Sequence, residues 1–115
     1  MHELSLVQGL LSQLQILAQQ HGATSISRVR VEVGPFAGIV IDSFQFAFDI
    51  LAKESELMKN AELEIIIPPM QYKCFQCKNV LISDHEMPES CPQCESTVLV
   101  PEGGDGLILL QVEME

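Results

Sequence analysis

Positive charge is what this 115-residue chain has least of: six Lys and Arg stand against 16 Asp and Glu, a formal net charge of −10. That balance argues against a nucleic-acid partner, because binding to a phosphate backbone works by Lys and Arg displacing counterions. It argues equally against an anionic membrane surface. Long apolar runs are absent, and nothing approaches the ~18 apolar residues of a membrane span. The opening Met1-His2-Glu3 has no basic stretch, and Ser and Gln interrupt the apolar residues that follow, so no secretory signal is expected. No Walker A sequence occurs, which rules out nucleotide hydrolysis by that route. No Ser-His-Asp or Cys-His nucleophile stands out. Internal repeats and low-complexity tracts are missing as well. The acidic surplus leaves open a basic protein partner or cation traffic.

Apolar residues make up 47% of the chain, enough for one compact core with one small appendage. Val7, Leu10, Leu11, Leu14, Leu17 and Ala18 recur at helical spacing and predict a helix over 4–21, stopped by Gly22. Val29, Val31 and Val33 alternate with Arg28, Arg30 and Glu32, which predicts a half-buried strand ending at Gly34-Pro35. Asp42 reads as an N-cap, with Gln45 completing a capping box. The helix behind it has a stripe of Phe44, Ala47, Phe48 and Leu51, widened by Phe46 and Ile50. Ala61 to Ile67 predicts a second strand, stopped by Pro68-Pro69. Leu107 to Met114 predicts a third, with Ile108, Leu110, Val112 and Met114 on one face. The expected fold is α+β: two helices packed on one face of a three-stranded mixed or antiparallel sheet. Residues 1–69 plus 102–115 form that domain, and 70–101 form an inserted module of different character.

All four cysteines fall in the insert, as Cys74-Phe75-Gln76-Cys77 and Cys91-Pro92-Gln93-Cys94, with thirteen residues between the two pairs. A C-x-x-C turn lets two thiolates point at one ion while backbone N–H groups face the sulfurs. Two such turns close a tetrahedral site of the kind zinc prefers. Four cysteines without a secretory signal point to a reducing compartment, the cytoplasm, where metal binding is favoured over disulfides. A thioredoxin-like redox pair would show one C-x-x-C opening a helix. An iron–sulfur cluster also takes Cys₄ and stays open. A closed Cys₄ zinc site leaves no coordination position for catalysis, so its work is folding a zinc-ribbon-like module too small to stand alone. His85 lies in the loop between the pairs and reads as a surface residue. Asp84, Glu86 and Glu89 beside it read as a solvated surface.

An early histidine is most often idle, but Met1-His2-Glu3 offers a sharper chemistry. A free α-amine, the amide and Nδ1 of His2 and the amide of Glu3 can form fused chelate rings in a four-nitrogen plane. Such a plane suits Ni(II) or Cu(II) rather than zinc.

Met1-His2-Glu3-Leu4-Ser5-Leu6, the valine-rich strand ending at Gly34, Asp42-Ser43-Phe44-Gln45-Phe46-Ala47-Phe48, the two C-x-x-C pairs and Gly104-Asp105-Gly106-Leu107-Ile108 together resemble the HypA/HybF family of hydrogenase maturation factors, over essentially the full chain. The resemblance implies a non-enzymatic nickel metallochaperone. It would help insert Ni(II) into the large-subunit precursor of [NiFe]-hydrogenase together with the GTPase HypB. It implies nickel on Met1, His2 and Glu3, and structural Zn(II) on Cys74, Cys77, Cys91 and Cys94. Some relatives carry histidines beside the cysteine pairs; here Lys78 and Glu95 stand there, which implies an all-sulfur site. A homodimer is compatible with the apolar edges. A zinc-ribbon adapter would share the Cys₄ module but predicts zinc alone, and a dithiol oxidoreductase predicts titratable thiols.

Overall fold

The computed structural model describes residues 2–84 and 86–115; Met1 and His85 lie outside the described residues. In chain order the elements are α1 (His2–Gln20), β1 (Ile26–Val33), α2 (Ile41–Lys53), β2 (Glu62–Ile66), β3 (Met70–Cys74), β4 (Val80–Ser83), β5 (Leu99–Pro101) and β6 (Leu107–Met114). Two three-stranded sheets result, ordered β2-β1-β6 and β4-β3-β5. The chain divides into two compact units: Met1–Val31, Ile39–Ile66 and Ile108–Glu115 form the first, and Glu32–Gly38 with Ile67–Leu107 form the second.

The first unit is built as the apolar spacing predicts. α1 buries Val7, Leu10, Leu14 and Ala18, one residue per turn along a single face. It ends in a Schellman turn: Gly22 adopts φ 65°, its N–H donates to the Gln19 carbonyl, and the Ala23 N–H donates to the Ala18 carbonyl. α2 contributes Phe44, Ala47, Phe48 and Ala52 to the core, and α1 packs against it. Ile26, Val29 and Val31 of β1 and the loop residue Met58 complete the buried set. Phe46 and Ile50 do not widen the α2 stripe. They stand 66% and 46% exposed, because positions 46 and 50 lie on the side of the helix facing away from Phe44 and Phe48.

The start of α2 also corrects the expected capping box. Val40, not Asp42, is the N-cap, and no side-chain cap bond is made there. Asp42 lies inside the first turn, where its charge still favours the helix dipole. The Gln45 amide turns forward to the Asp49 carboxylate at 3.0 Å instead of back to the cap.

β1 is the centre of the first sheet. Ser25 and Glu115 exchange backbone bonds at one end, and the Gly34 N–H donates to the Gly106 carbonyl at the other, so β1 and β6 run antiparallel. Along β6 the half-buried positions are Leu107 and Leu109, then Val112 and Met114. The expected single face of Ile108, Leu110, Val112 and Met114 is therefore broken at Leu110–Gln111, and Ile108 and Leu110 are exposed. On β1 the buried phase shifts as well, since Ile26 and Val29 are both inside with Ser27 and Arg28 outside. On the exposed face Arg28 reaches Glu62 of β2 at 4.0 Å and Glu113 of β6 at 3.4 Å, and Arg30 meets Glu64 at 3.2 Å. Each such exposed pair is worth about 0–1 kcal/mol, so they tune the sheet rather than hold it.

In the second unit β3 is central and antiparallel to both neighbours, with Tyr72 opposite Leu81 on β4 and opposite Pro101 on β5. The segment Glu32–Gly38 is tied to the turn before β6: the Phe36 N–H donates to the Gly104 carbonyl at 2.7 Å. Gly34 runs so close to this turn that a Cβ there would collide with the Gly104 carbonyl. Phe36 then lies edge-on to Tyr72, ring centroids 5.5 Å apart.

Gly34→Ala is therefore expected to lower unfolding free energy by roughly 1–3 kcal/mol through overpacking against backbone. Gly9→Ala, in the exposed middle of α1 with nothing within 4 Å of the new methyl, should raise it by about 0.5–1 kcal/mol. Urea melts of the two variants give the signs.

Candidate metal centre

The two cysteine pairs fold into the same turn twice. In the first, the Lys78 N–H donates to the Cys74 carbonyl at 3.0 Å and the Cys74 N–H to the Asn79 carbonyl at 2.8 Å. In the second, the Glu95 N–H donates to the Cys91 carbonyl and the Cys91 N–H to the Ser96 carbonyl, both at 2.8 Å. The fifth residue of each turn takes the left-handed conformation, Lys78 at φ 66° and Glu95 at φ 63°, the only non-glycine residues with positive φ among those described. Neither residue suits that region, where an L side chain costs roughly 1–2 kcal/mol. Lys78 is partly compensated: its ammonium bonds the Phe75 carbonyl at 3.0 Å and lies 4.9 Å from the centre of the Phe75 ring. Sequence reading noticed these two residues only as the neighbours of the cysteines. The equal spacing after both pairs was the signal for the repeated turn.

The turns are placed by the small sheet. The first joins β3 to β4, with Cys74 as the last residue of β3. The second lies between β4 and β5, and Cys74 pairs with Leu99 of β5. Cys74 and Cys91 are fully buried, while Cys77 and Cys94 reach the surface. The buried cluster around them is only Tyr72, Cys74, Cys91 and Leu99, with Phe36, Met70 and Leu81 half-buried against it. Two of the four buried members are thus candidate ligands, and the apolar remainder is too small to serve as an independent core.

All four sulfurs lie within 4.8 Å of one another. A tetrahedral ion with Zn–S bonds of about 2.3 Å places its sulfurs ~3.8 Å apart, so the cage has the size for one ion. A multinuclear iron–sulfur cluster would put metals and sulfides between the thiolates and spread them further. The shortest separations, 3.5 Å, are Cys74–Cys94 and Cys77–Cys91, each between turns rather than within one. A C-x-x-C redox couple would bring together the two sulfurs of the same turn. All four thiols are free.

Electrostatics separates the sulfurs into two kinds. Backbone N–H groups of Cys77 and Gln76 face the Cys74 sulfur and bring its pKa down to about 6, against the opposing effect of burial. Cys91 is lowered in the same way by the N–H groups of Cys94 and Gln93. Cys77 faces the Asn79 N–H, which pulls it down, but burial and the neighbouring sulfurs win and push it up to about 12. Cys94, facing the Ser96 N–H, is raised by Cys74 and by burial. Four thiolates this close cannot all ionise without a cation among them. With one, the six amides become the outer hydrogen-bond shell of a closed four-sulfur site.

The N-terminal candidates sit elsewhere in the fold, at the start of α1. Met1 lies outside the described residues. His2 is the first helical residue, and its imidazole is exposed, with Nδ1 3.6 Å from the Glu3 carboxylate. Glu3 is the one acidic residue in the first turn. Its Oε2 accepts from the Val40 N–H at 3.3 Å, and that bond holds the carboxyl below its usual pKa, with the His2 contact helping. Sequence reasoning missed Val40, since an apolar residue before a helix gives no sign that its N–H serves as an anchor. His85 lies outside the described residues, and the four cysteines are the only metal-ligating group found among the rest.

Comparison with known proteins is consistent over the whole chain. Residues 1–114 match the family described as hydrogenase/urease nickel incorporation, metallochaperone, hypA. The hydrogenase maturation factor HypA of Rhodobacter capsulatus is 34% identical over 114 residues, 99% of each chain. That of Paracoccus denitrificans is 36% identical over 115 residues, again 99% of each. In three dimensions the chain resembles the solution structure of the Ni metallochaperone HypA from Helicobacter pylori, with TM-score 0.68, 28% identity, and coverage of 97% of this chain and 96% of that one. A second solution structure, of a HypA protein, gives TM-score 0.76 and 28% identity, covering 100% of this chain and 97% of the other.

Two outcomes test the centre. Glu95→Gly should stabilise the metal-loaded protein by about 0.5–1 kcal/mol in chemical denaturation, because glycine relieves the left-handed strain. Stripping the ion with a strong chelator should expose Tyr72, the single tyrosine of a chain without tryptophan, to quenchers of its fluorescence. The helical circular dichroism should persist, since α1 and α2 belong to a unit with its own buried core.

Proposed function

This chain belongs to the HypA family of nickel metallochaperones that serve hydrogenase maturation, and from that premise we propose that it handles two metals by two different chemistries. Cys74, Cys77, Cys91 and Cys94 hold a structural Zn(II). Met1, His2 and Glu3 hold Ni(II) as cargo. The observation that carries the zinc assignment is the cage itself: four convergent sulfurs sized for one ion, faced by backbone amides, two of them built into a buried cluster of the small sheet. No position is left open on such an ion, so it shapes the module and takes no part in chemistry.

The nickel reading is supported by where α1 begins. The first N–H groups of a helix have no intrahelical acceptor. The amides of His2 and Glu3 can therefore lose their protons to a metal without breaking the helix. The His2 imidazole is exposed beside them, and the α-amine of Met1 would supply the fourth nitrogen. A four-nitrogen plane is the geometry of Ni(II) and not of zinc. An ion held this way is reached from solvent and leaves by ligand exchange, which suits delivery. Protonation of the imidazole and amides releases it, so affinity falls as pH falls.

The chain carries nickel rather than catalysing a reaction. With no Walker A sequence it draws on a HypB-type GTPase for any nucleotide-driven step, and the hydrogenase large-subunit precursor is the recipient. An all-sulfur metal site fits the reducing cytoplasm. No helix among the described residues is long and apolar enough to cross a membrane. The excess of acidic side chains favours a basic surface on the partner. A homodimer is one form in which the carrier would act. In the proposed division, residues 1–69 with 102–115 carry nickel and 70–101 carry zinc.

His2→Ala should abolish stoichiometric nickel binding while zinc content stays at one per chain, measured together by elemental analysis of untagged protein. A residue added before Met1 should impair nickel in the same way, because the amine moves. Unchanged nickel affinity in His2→Ala would refute the assignment, and zinc as the sole metal bound by the unaltered chain would favour a zinc-ribbon adapter.

A further inference from the structure

The Glu3 carboxylate is committed before any metal arrives. Its side chain is only 13% exposed, and Oε2 accepts the backbone N–H of Val40. Val40 is the N-cap of α2: its carbonyl accepts the Phe44 N–H at 3.0 Å, but it has no side-chain oxygen to cap that helix end. The bond therefore ties the first turn of α1 to the start of α2, between residues 37 positions apart in the chain. A helix terminus frays unless something fixes it, and here the fixing group sits on the third residue.

The conformation held in this way matters for chelation. Two consecutive backbone nitrogens bite one ion only when the N–Cα–C–N torsion between them, which is ψ, is small. The helical value of about −42° is close to that requirement, whereas the extended value of about +135° turns the nitrogens apart. Because His2 already lies in α1, its amide and that of Glu3 are close to the bite.

We propose that Glu3 acts as a positioning residue for nickel: through the Val40 N–H its carboxylate holds the first turn of α1 in the conformation that brings the His2 and Glu3 amides to one ion, without itself ligating. This rests on the reading that residues 1–3 hold nickel. The contact between Oε2 and His2 Nδ1, at 3.6 Å, must open when the imidazole turns to the metal. The bond to Val40 need not, so the anchor persists through loading and release.

The experiment is a nickel titration of untagged protein by calorimetry, with the Val40 amide followed by NMR. Glu3→Ala removes the acceptor but keeps the Glu3 backbone nitrogen. Glu3→Gln keeps a neutral oxygen acceptor. Val40→Pro removes the donor without touching residues 1–3; its φ of −81° is near the value proline imposes, and its N–H makes no helical bond. Glu3→Ala and Val40→Pro should each weaken nickel binding roughly three- to tenfold, the range of one lost capping-type bond. Glu3→Gln should stay within twofold of the parent, and the double variant Glu3→Ala/Val40→Pro should be no weaker than either single one. Zinc content should not change. Loss in Glu3→Gln equal to that in Glu3→Ala would overturn the inference, because the charge would then act directly on the ion. So would unchanged affinity in Glu3→Ala. If Val40→Pro does not fold, the Ala and Gln variants decide the matter by themselves. His2→Ala separates the two levels: retained nickel there defeats the nickel site as a whole, whereas lost nickel there with no effect of Glu3→Ala defeats only the positioning role.

Discussion

Convergence of four sulfurs is the constraint from which the second unit follows. Its buried cluster has too few apolar members to order the surrounding chain: among the described residues Tyr72 and Leu99 are its only buried members that are not candidate ligands. What replaces a core is a repeated backbone turn. Each copy donates two N–H groups to its first sulfur and one to its second, at the same offsets from Cys74 and Cys91. The left-handed residues Lys78 and Glu95 are the strain that this turn requires, and it is tolerated because the turn also sets the direction of the thiolates. A thiolate cage is repulsive by itself, as the opposed pKa shifts of Cys74 and Cys77 express. A divalent cation among the four sulfurs would convert that repulsion into an attraction tying β3, β4 and β5 together. In such a module, binding free energy and folding free energy are the same quantity, on the order of 10 kcal/mol for structural zinc.

The first unit has no such need. Buried Leu, Val and Phe side chains from α1, α2 and β1 each contribute about 1.5–3 kcal/mol when withdrawn from water, and there are enough of them for an ordinary core. Its one special device is polar and peripheral: the Glu3 carboxylate on the Val40 N–H. Val40 occupies the position where Ser, Thr, Asp or Asn would normally cap α2. A carboxylate arriving from α1 meets the N–H that such a local cap leaves untouched. One short side chain thus links two helix starts, and the residue supplying it stands next to the histidine that opens α1.

Much of this was legible in the sequence because it depends on short-range spacing. The α1 stripe, the Gly22 stop, the valines of β1 and the paired C-x-x-C turns are all set by neighbours within a few positions, so a linear reading finds them. What escaped was set by distant partners. Asp42 and Gln45 have the form of a capping box, yet α2 begins before Asp42 and Gln45 is drawn to Asp49. The sequence of β6 has the form of one alternation, but the buried phase shifts at Leu110–Gln111, near the point where β1 shifts its own. Gly34-Pro35 marked the end of a strand correctly, but the sequence gives no hint that Gly34 and Phe36 bond Gly106 and Gly104 far along the chain. The strands β3, β4 and β5 are three to five residues long, too short for a period to emerge. In β3 the two buried positions are Tyr72 and a cysteine that reads first as a ligand.

The proposed pair of sites would let a carrier keep its metals on different atoms. Soft sulfur in a closed tetrahedron would bind zinc with no vacant position, so exchange would require a ligand to leave first, and each candidate ligand here is faced by backbone amides. In the proposed nickel site two of the four nitrogens would become ligands only by losing protons, so occupancy would respond to pH and to competing ligands from a partner. Raw affinity does not separate the ions, since Ni(II) and Zn(II) lie close in the general order of divalent binding. Geometry does. A tetrahedral cage disfavours square-planar Ni(II), and a flat four-nitrogen plane gives zinc no reason to choose it. With Lys78 and Glu95 where a histidine beside the cysteines would introduce nitrogen, the two proposed donor sets would stay apart.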